Sequence, residues 1–194
     1  MLDVQPIVLK GKTVRQEPLD ARHAKDLARH AEPELFQWFA ASHPTAQTES
    51  AVLECIERLQ AIPDMVPFAT VLQATGEAIG STTYMDIRPK HMGLEIGTTW
   101  IGRAHQGTKV NPESKLLLLA HAFERLGCER VQLKTDGRNL QSQHAIEKLG
   151  AVKEGVLRKH MIMPDGFVRD TVMYSIVAAE WPDVKRGLEA RLAG

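Results

Sequence analysis

Residues 94 to 112 place a strand pattern, a glycine-containing loop and a helix start in direct succession. The strand pattern is Leu94 to Ile101 (LEIGTTWI), the loop carries Gly107, and Asn111 followed by Pro112 is typical of the first residues of a helix. Free N–H groups at a helix start bind anions, and a glycine lets a ligand approach the main chain. The loop lacks a Walker ending and the three spaced glycines of dinucleotide-binding loops. It fits either another kind of anion site or an ordinary connection.

Cysteine and histidine spacing excludes several other kinds of chemistry. Cys55 and Cys128 are too few for a disulfide scaffold, and they lack both metal-ligand spacing and a triad. His23 and His30 lie two helical turns apart with no carboxylate at metal spacing. The sequence therefore predicts no metal and no thiol nucleophile.

Composition sets the class of protein. The chain has 194 residues, 43% hydrophobic and 25% charged, which is typical of a globular protein. Its 24 basic and 24 acidic residues give zero net charge, so we expect no direct nucleic-acid partner. The first ten residues do not form a signal peptide, and the longest apolar run, Leu116 to Ala120, is far too short to span a membrane. We expect one cytoplasmic domain over residues 1–194, without a membrane partner.

Hydrophobic periodicity and turn residues predict the secondary structure. The expected order is strand, two helices, three strands, helix, strand, helix, two strands and a final helix. The predicted strands are Pro6 to Glu17 with a turn, Pro67 to Gln73, Ala78 to Met85, Leu94 to Ile101, Arg130 to Thr135, Val152 to Met161 and Arg169 to Val177. Asp20 and Asn139 should cap helices, the Pro112 helix should end at Gly127, and the Asn139 helix should end at Gly150.

These elements predict a mixed, mostly antiparallel sheet with helices on both faces, an α/β (α+β) fold. Short turns join the middle strands, so those strands should be antiparallel, whereas the strand-helix-strand segment Leu94 to Thr135 should add a parallel neighbour. Gly97 inside a strand predicts a bulge or a close approach to the main chain.

Several segments, taken in order, resemble the GNAT superfamily of N-acyltransferases, and most closely its RimJ/RimL-type branch. The resemblance rests on Leu9 to Arg15 with Glu17-Pro18-Leu19, Glu95-Ile96-Gly97 followed by Gln106-Gly107-Thr108, Asn139-Leu140-Gln141-Ser142, Ile146 to Ala151, Glu154 to Arg158 and Arg169 to Ser175. It implies a single-domain GNAT-like sheet in which two central parallel strands splay apart. It also implies that the pantetheine arm of acetyl-CoA lies in the gap between Leu94 to Ile101 and Arg130 to Thr135.

The resemblance implies that a loop of pattern Gln/Arg-x-x-Gly-x-Gly/Ala holds the pyrophosphate of coenzyme A. Gln106 matches the first position, whereas Lys109 and Asn111 stand where glycine or alanine is usual. The lysine could add charge to the phosphate site or obstruct the main chain. The implied cofactor-binding residues are Thr99, Trp100, Ile101, Gln106, Gly107, Thr108, Lys109, Val110, Asn111, Asn139 and Ser142.

The resemblance also suggests how protons are handled. Glu95 is the candidate base for the attacking amine; the alternative is an ion-paired strand carboxylate. Main-chain N–H groups near Thr99 to Ile101 could hold the oxyanion. Relatives place a tyrosine acid where this chain has Ile146, which leaves Ser142 as the candidate acid or simply a polar residue of the first helical turn. Asn139 could contact pantetheine or only cap its helix.

Phe36 and Trp38 lie between the first two helices, where relatives build the acceptor pocket; a hydrophobic cluster under a loop is the alternative.

The activity that the resemblance implies is transfer of the acetyl group of acetyl-CoA to a primary amine, either a protein N-terminus or a small molecule. Alternatives are a non-catalytic CoA-binding module, a transferase of a larger acyl group such as succinyl, and a nucleotide-binding enzyme. A homodimer stays open.

Overall fold

A computed structural model describes residues 2–194 of the chain. Its strands are β1 (Leu9–Lys10), β2 (Val14–Pro18), β3 (Val66–Leu72), β4 (Ala78–Arg88), β5 (Gly93–Ile101), β6 (Arg130–Asp136), β7 (Val152–Ile162) and β8 (Val168–Val177). Its α-helices are α1 (Ala24–His30), α2 (Glu49–Gln60), α3 (Val110–Ala120), α4 (Leu140–Glu147) and α5 (Trp181–Ala193).

All eight strands form one sheet in the order β1-β2-β3-β4-β5-β6-β8-β7. The pair β5 and β6 is parallel, and the other neighbouring strands in this order are antiparallel. The parallel pair follows from the α3 crossover, because a tight turn can join only antiparallel strands. The predicted fold class, including its single parallel pair, is confirmed.

Two apolar clusters pack on opposite faces of this sheet. On one face α3, α4 and α5 cover a large core that includes Leu94 and Ile96 of β5. On the other face α1 and α2 cover a smaller core that includes Trp100 and reaches β3, β4 and β5. Alternation along the strands turns the intervening residues of β6 and β8 to this second face, and apart from Met173 they are mostly polar. The polar ones include Gln132, Lys134, Asp136, Arg169, Thr171 and Ser175.

Helix α3 differs from its prediction at both ends. It begins at Val110, after Lys109, so Asn111 and Pro112 lie in its first turn and Asn111 is not the cap. A π-helical turn, His121–Arg125, continues it toward Gly127. The predicted caps at Asp20 and Asn139 are confirmed, since both side chains accept N–H groups at their helix starts. Among residues 2–194, no helix has the length and apolar character needed to cross a membrane.

Candidate active site

A gap opens between the two parallel strands in the middle of the sheet. β5 and β6 pair only at Gly93, Leu94 and Glu95, which lie opposite Arg130, Val131 and Gln132. Beyond Glu95 both strands continue, β5 to Ile101 and β6 to Asp136, without pairing to each other. The main-chain groups of this part of β5 that face β6 therefore have no strand partner, as the splayed pair predicts.

The loop before α3 presents free main-chain donors. Within residues 2–194, the N–H groups of Gly107, Thr108, Lys109 and Asn111 donate no hydrogen bond, while Val110 donates to the Thr108 hydroxyl at 3.3 Å. Gly107 has φ of +72° and no atom within 4 Å of where a Cβ would stand. The glycine is thus needed for its left-handed backbone and leaves open space above it. Converging free N–H groups at a helix start form an anion site.

Two polar side chains of this loop, Gln106 and Lys109, are bonded to groups outside it. Gln106 Nε2 donates to the carbonyl of Ile101 at 3.0 Å, which ties the loop to the end of β5. Lys109 Nζ donates to the carbonyl of Leu192 at 2.8 Å, near the C-terminal end of α5. A cation is favourable there because the last carbonyls of a helix carry partial negative charge. The lysine side chain does not cover the main chain of the loop.

A bulge bends β5 where it borders the gap. The register moves from Thr83 opposite Gly97 to Ser81 opposite Trp100, so β5 has one extra residue. Thr98 takes up the bulge with φ of +45°. The predicted bulge at Gly97 is confirmed, and so is the close approach: a Cβ there would lie 2.6 Å from Met85 Sδ and 2.9 Å from Glu95 Oε1. Gly97 therefore leaves room for the Glu95 carboxylate.

Glu95 is a buried carboxylate at the point where the strands separate. It is 1% exposed. Its Oε2 accepts hydrogen bonds from Gln132 Nε2 at 2.8 Å and Lys134 Nζ at 3.0 Å. Its Oε1 accepts none from residues 2–194. Glu95 is thus ion-paired through one oxygen and has the other oxygen free, so the two interpretations from the sequence are not mutually exclusive.

Lys115 is a buried cation that sequence reasoning missed. It is 5% exposed, and its Nζ donates to Thr99 Oγ1 at 2.8 Å. Thr99 in turn lies 2.8 Å from the hydroxyl of Thr82. No carboxylate within residues 2–194 forms a salt bridge with Lys115, and burial lowers its pKa to about 7. The extra residue in β5 turns Thr99 toward α3, which no sequence periodicity signals.

The predicted residues Asn139 and Ser142 lie at the start of α4, at the same end of the parallel strands as the loop before α3. Asn139 Oδ1 accepts the N–H of Ser142 at 3.0 Å. Ser142 is half-buried, and its hydroxyl has no partner among residues 2–194. Ile146 is buried in the core, where an apolar side chain fits without a hydrogen-bond partner.

Neither of the chain's two tyrosines offers a free hydroxyl. Tyr84 donates to the carbonyl of Leu118 at 2.6 Å, and burial raises its pKa. Tyr174 donates to Glu147 at 3.0 Å, and burial together with that carboxylate raises its pKa to about 12. A tyrosine from elsewhere in the fold therefore does not replace the one absent at position 146.

The two predicted acceptor-site aromatics have different surroundings. Phe36 is 5% exposed and packs edge-on against Trp100 with ring centroids 5.4 Å apart, so it belongs to the hydrophobic cluster under α1 and α2. Trp38 is half-buried, and its ring lies 4.9 Å from the guanidinium carbon of Arg138. Its carbonyl accepts a hydrogen bond from Arg169. Trp38 faces the polar part of the sheet and Phe36 does not.

The side chains of three predicted cofactor residues point into the protein. Trp100 packs under α1 and α2, while Ile101 and Val110 pack together in a small cluster with Ile79. These residues can therefore meet a ligand only through their main chains. Within residues 2–194, no three His, Cys, Asp or Glu side chains are grouped to hold a metal ion.

A splayed parallel pair beside a helix start with free N–H groups defines the class of protein: it is the arrangement that the resemblance to N-acyltransferases implies. A family model described as an acetyltransferase (GNAT) domain matches residues 14–152. The chain therefore belongs to the GNAT family of N-acetyltransferases.

Curated relatives agree with this assignment. The chain is 26% identical over 171 residues to the Bacillus subtilis protein named "Putative ribosomal N-acetyltransferase YdaF", covering 87% of this chain and 92% of that protein. It is 27% identical over 161 residues to "Probable N-acetyltransferase YjcK" of the same species, covering 79% and 88%. The YdaF similarity supports the RimJ/RimL-type branch.

Solved structures share the fold. One from T. thermophilus, described as a putative acetyltransferase, is 43% identical with a TM-score of 0.90, covering 98% of this chain and all of that one (100%). Mycobacterium smegmatis RimJ in complex with CoA-disulfide has a TM-score of 0.78 at 21% identity, covering 96% and 93%. The RimJ likeness shows the fold alone.

Proposed function

We propose that the chain acts as one domain that transfers the acetyl group of acetyl-CoA to a primary amine. The observation that carries this proposal is the separation of β5 from β6 beyond Glu95, with free N–H groups at the start of α3 beside it. The gap can take an extended chain and the helix start can take a diphosphate. An acyl-CoA has both an extended pantetheine arm and a diphosphate, so it would fit both parts.

The loop supports the diphosphate end of this proposal. The N–H groups of Gly107, Thr108, Lys109 and Asn111 would donate to phosphate oxygens, with the Lys109 side chain anchored at α5 and clear of them. Asn139 would serve mainly as the cap of α4, because its Oδ1 is already bonded.

The chemistry requires removal of a proton from the amine before its nitrogen attacks the thioester carbon. We assign this to Glu95 Oε1, acting through water, while Lys134 and Gln132 hold Oε2. The N–H groups of residues 99 to 101 that face the gap would donate to the oxyanion. When the carbon–sulfur bond breaks, Ser142, whose hydroxyl has no other partner among residues 2–194, would assist the thiolate.

Two measurements test the proposal. Calorimetry with CoA measures binding, and a thiol-detecting assay with acetyl-CoA measures turnover against a panel of primary amines. Thiol release that requires an amine supports the transferase. Binding without release favours the non-catalytic CoA-binding module, and protection by ATP instead of CoA would support a nucleotide enzyme. Replacing acetyl-CoA by succinyl-CoA in the same assay tests the larger acyl group.

Gly107→Val should weaken CoA binding strongly. Valine strains a backbone with φ of +72° and would disturb several charge-assisted contacts, each contributing roughly 1.5–3 kcal/mol. Calorimetry should therefore give a dissociation constant at least tenfold higher. The control is Lys109→Gly, which should change the constant only a few-fold because that side chain is bonded to Leu192. An unchanged dissociation constant for CoA in Gly107→Val would mean that the diphosphate does not bind at this loop.

A further inference from the structure

A cluster on the polar face of β6 and β8 contains three cations and two carboxylates, of which Arg169, Glu95 and Asp136 are buried. Lys134 is paired with Glu95 at 3.0 Å, and Arg138 is paired with Asp136 at 2.8 Å. Arg169 lies beside both pairs and has no carboxylate within salt-bridge distance among residues 2–194. Among residues 2–194, Arg169 is therefore the cation of this cluster that has no direct salt bridge.

Within residues 2–194, the hydrogen bonds of Arg169 go to neutral groups. It is 5% exposed, its Nε donates to the hydroxyl of Thr171 at 3.0 Å, and its Nη1 donates to the carbonyl of Trp38 at 3.1 Å. Burial lowers its pKa; the charges of Asp136 and Glu95 act in the opposite direction, and that of Arg138 adds to the lowering. Burying a cation without an anion in direct contact is costly, so an anionic ligand would be favourable at this position.

One end of this guanidinium remains available. Arg169 Nη2 donates to no group of residues 2–194, and it is not among the buried side-chain atoms that lack a partner, so it stays open to solvent. Two aromatic rings flank the neighbouring Arg138, whose guanidinium carbon lies 3.6 Å from the ring centre of Phe167 and 4.9 Å from that of Trp38. The Trp38 loop and the β7–β8 turn thus flank Arg138, next to the polar side chains of β6 and β8.

We propose that Arg169 selects the acceptor by binding a carboxylate that the acceptor carries close to its amine. The amine would lie toward Glu95 while the carboxylate completes the charge balance at Arg169 Nη2. This inference rests on the proposed transferase function and names its substrate class. The acceptor is either a free amino acid or a peptide N-terminus with an acidic side chain in its first residues; the chemistry is the same for both.

The test compares acceptors that differ only in charge. Glutamate is measured against glutamine amide, and short peptides with Asp at the second position are measured against the same peptides with Asn. The acceptor pair with the larger carboxylate preference identifies the source. A hydrogen bond to a charged group corresponds to roughly 10- to 100-fold in affinity, so kcat/KM should favour the carboxylate by at least tenfold in one of the pairs.

Arg169→Gln should abolish that preference by raising KM for the carboxylate acceptor. The rate with the uncharged acceptor and the affinity for CoA should stay within a few-fold, which also verifies that the variant is folded. Arg169→Lys, which keeps the charge, should retain part of the preference. Arg130→Gln is the matched control: it removes an arginine from the same face, roughly 20 Å along β6 from Asp136, and should retain the full preference.

Binding of the same acceptors to the CoA-loaded protein, measured by calorimetry, gives a readout that does not depend on turnover. Carboxylate-dependent binding that is lost in Arg169→Gln supports the inference even if no acceptor is acetylated, an outcome that would count against the proposed function alone. Thiol release and binding that are both indifferent to the carboxylate would overturn the inference and leave the transferase intact. Equal losses with charged and uncharged acceptors in Arg169→Gln would also overturn it.

Discussion

Glu95 and Lys115 are buried charged side chains on opposite faces of β5. Glu95 belongs to the strand, and Lys115 belongs to α3 and contacts the strand. Glu95 lies on the face of α1 and α2 and is bonded to a cation and an amide on β6. Lys115 reaches β5 from α3 and, in the described part of the chain, its Nζ is bonded only to the hydroxyl of Thr99. The carboxylate has a counter-ion at 3.0 Å, whereas the lysine has none among residues 2–194.

The contrast separates two ways in which a fold can hold a charge inside. The Glu95 carboxylate is paired with Lys134 through one oxygen and has the other oxygen free for chemistry. Burial without a partner instead lowers the pKa of Lys115 to about 7, so its charge depends on pH near neutrality. The paired group should therefore matter for rate and the unpaired group for stability.

The largest expected effect follows from Glu95→Gln. If Oε1 receives the amine proton, removing the carboxylate should lower kcat by about 10²–10⁴-fold and flatten the acidic limb of the pH–rate profile. Affinity for CoA should not change, because the substitution lies away from the α3 loop. Steady-state kinetics over pH and calorimetry with CoA provide the two measurements.

Glu154→Gln is the matched control for that variant. Glu154 of β7 is paired with Arg130 of β6 on the same face and should be dispensable for turnover. Full activity of Glu95→Gln in acid would place the base elsewhere or show that the acceptor arrives neutral, as an α-amine does more readily than a lysine amine.

Lys115→Met should change how stability depends on pH. The folded pKa of about 7 lies below the ordinary lysine value of 10.5, so between those values the unfolded chain binds more protons than the folded one. The free energy of unfolding of the native chain should therefore rise with pH through this window, by roughly 1.4 kcal/mol per unit from this group alone. The variant lacks that contribution.

Urea unfolding of both chains at about pH 6, 7.5 and 9, which bracket the lowered pKa, measures the difference. The variant should gain most over the native chain at the lowest of these pH values, where the native fold must bury a charged ammonium, and the advantage should shrink as pH rises. If the free energies of unfolding of the two chains changed with pH in parallel, the Lys115 ammonium would have to be stabilised by a nearby charge or by water. The contrast with Glu95 would then be wrong.

Ser142→Ala should have the smallest effect. It tests whether a half-buried group without a partner affects stability when that group carries no charge. The Ser142 hydroxyl is unpartnered among residues 2–194 but neutral, so its loss should leave stability nearly unchanged. We expect kcat to fall only several-fold, because a thiolate leaves well near its reference pKa of about 8.5. His144→Ala on the exposed face of α4 is the control, and a loss above roughly 100-fold would make Ser142 indispensable as an acid.

Local signals in the sequence predict much of the site. Asn139 caps α4, Gly97 marks both a bulge and the space for Glu95, and Gly107 provides the left-handed turn before α3. Each of these depends on one residue type whose backbone or side-chain chemistry favours one local conformation. Glycine and cap residues therefore indicate the frame of the site well.

The contacts of the buried charged side chains could not be predicted in this way, because their partners come from distant parts of the chain. Lys115 stands beside the leucine run of α3, and nothing in that pattern shows that it turns toward Thr99. Arg169 belongs to a strand motif that predicts β8, yet its contact with Trp38 spans 131 positions. The predicted start of α3 was wrong for a related reason: Asn111-Pro112 suits a first helical turn as well as a cap.

Because β5 separates from β6, the first part of β5 is an interior strand of the sheet and its second part has one free edge. Up to Glu95 its amide hydrogens are protected from solvent exchange on both sides, but beyond Glu95 those that face β6 have no ladder to protect them. Hydrogen exchange should therefore alternate along residues 96 to 101, slow for amides bonded to β4 and fast for the others. An extended pantetheine chain in the gap would act as a temporary neighbouring strand and slow the fast set.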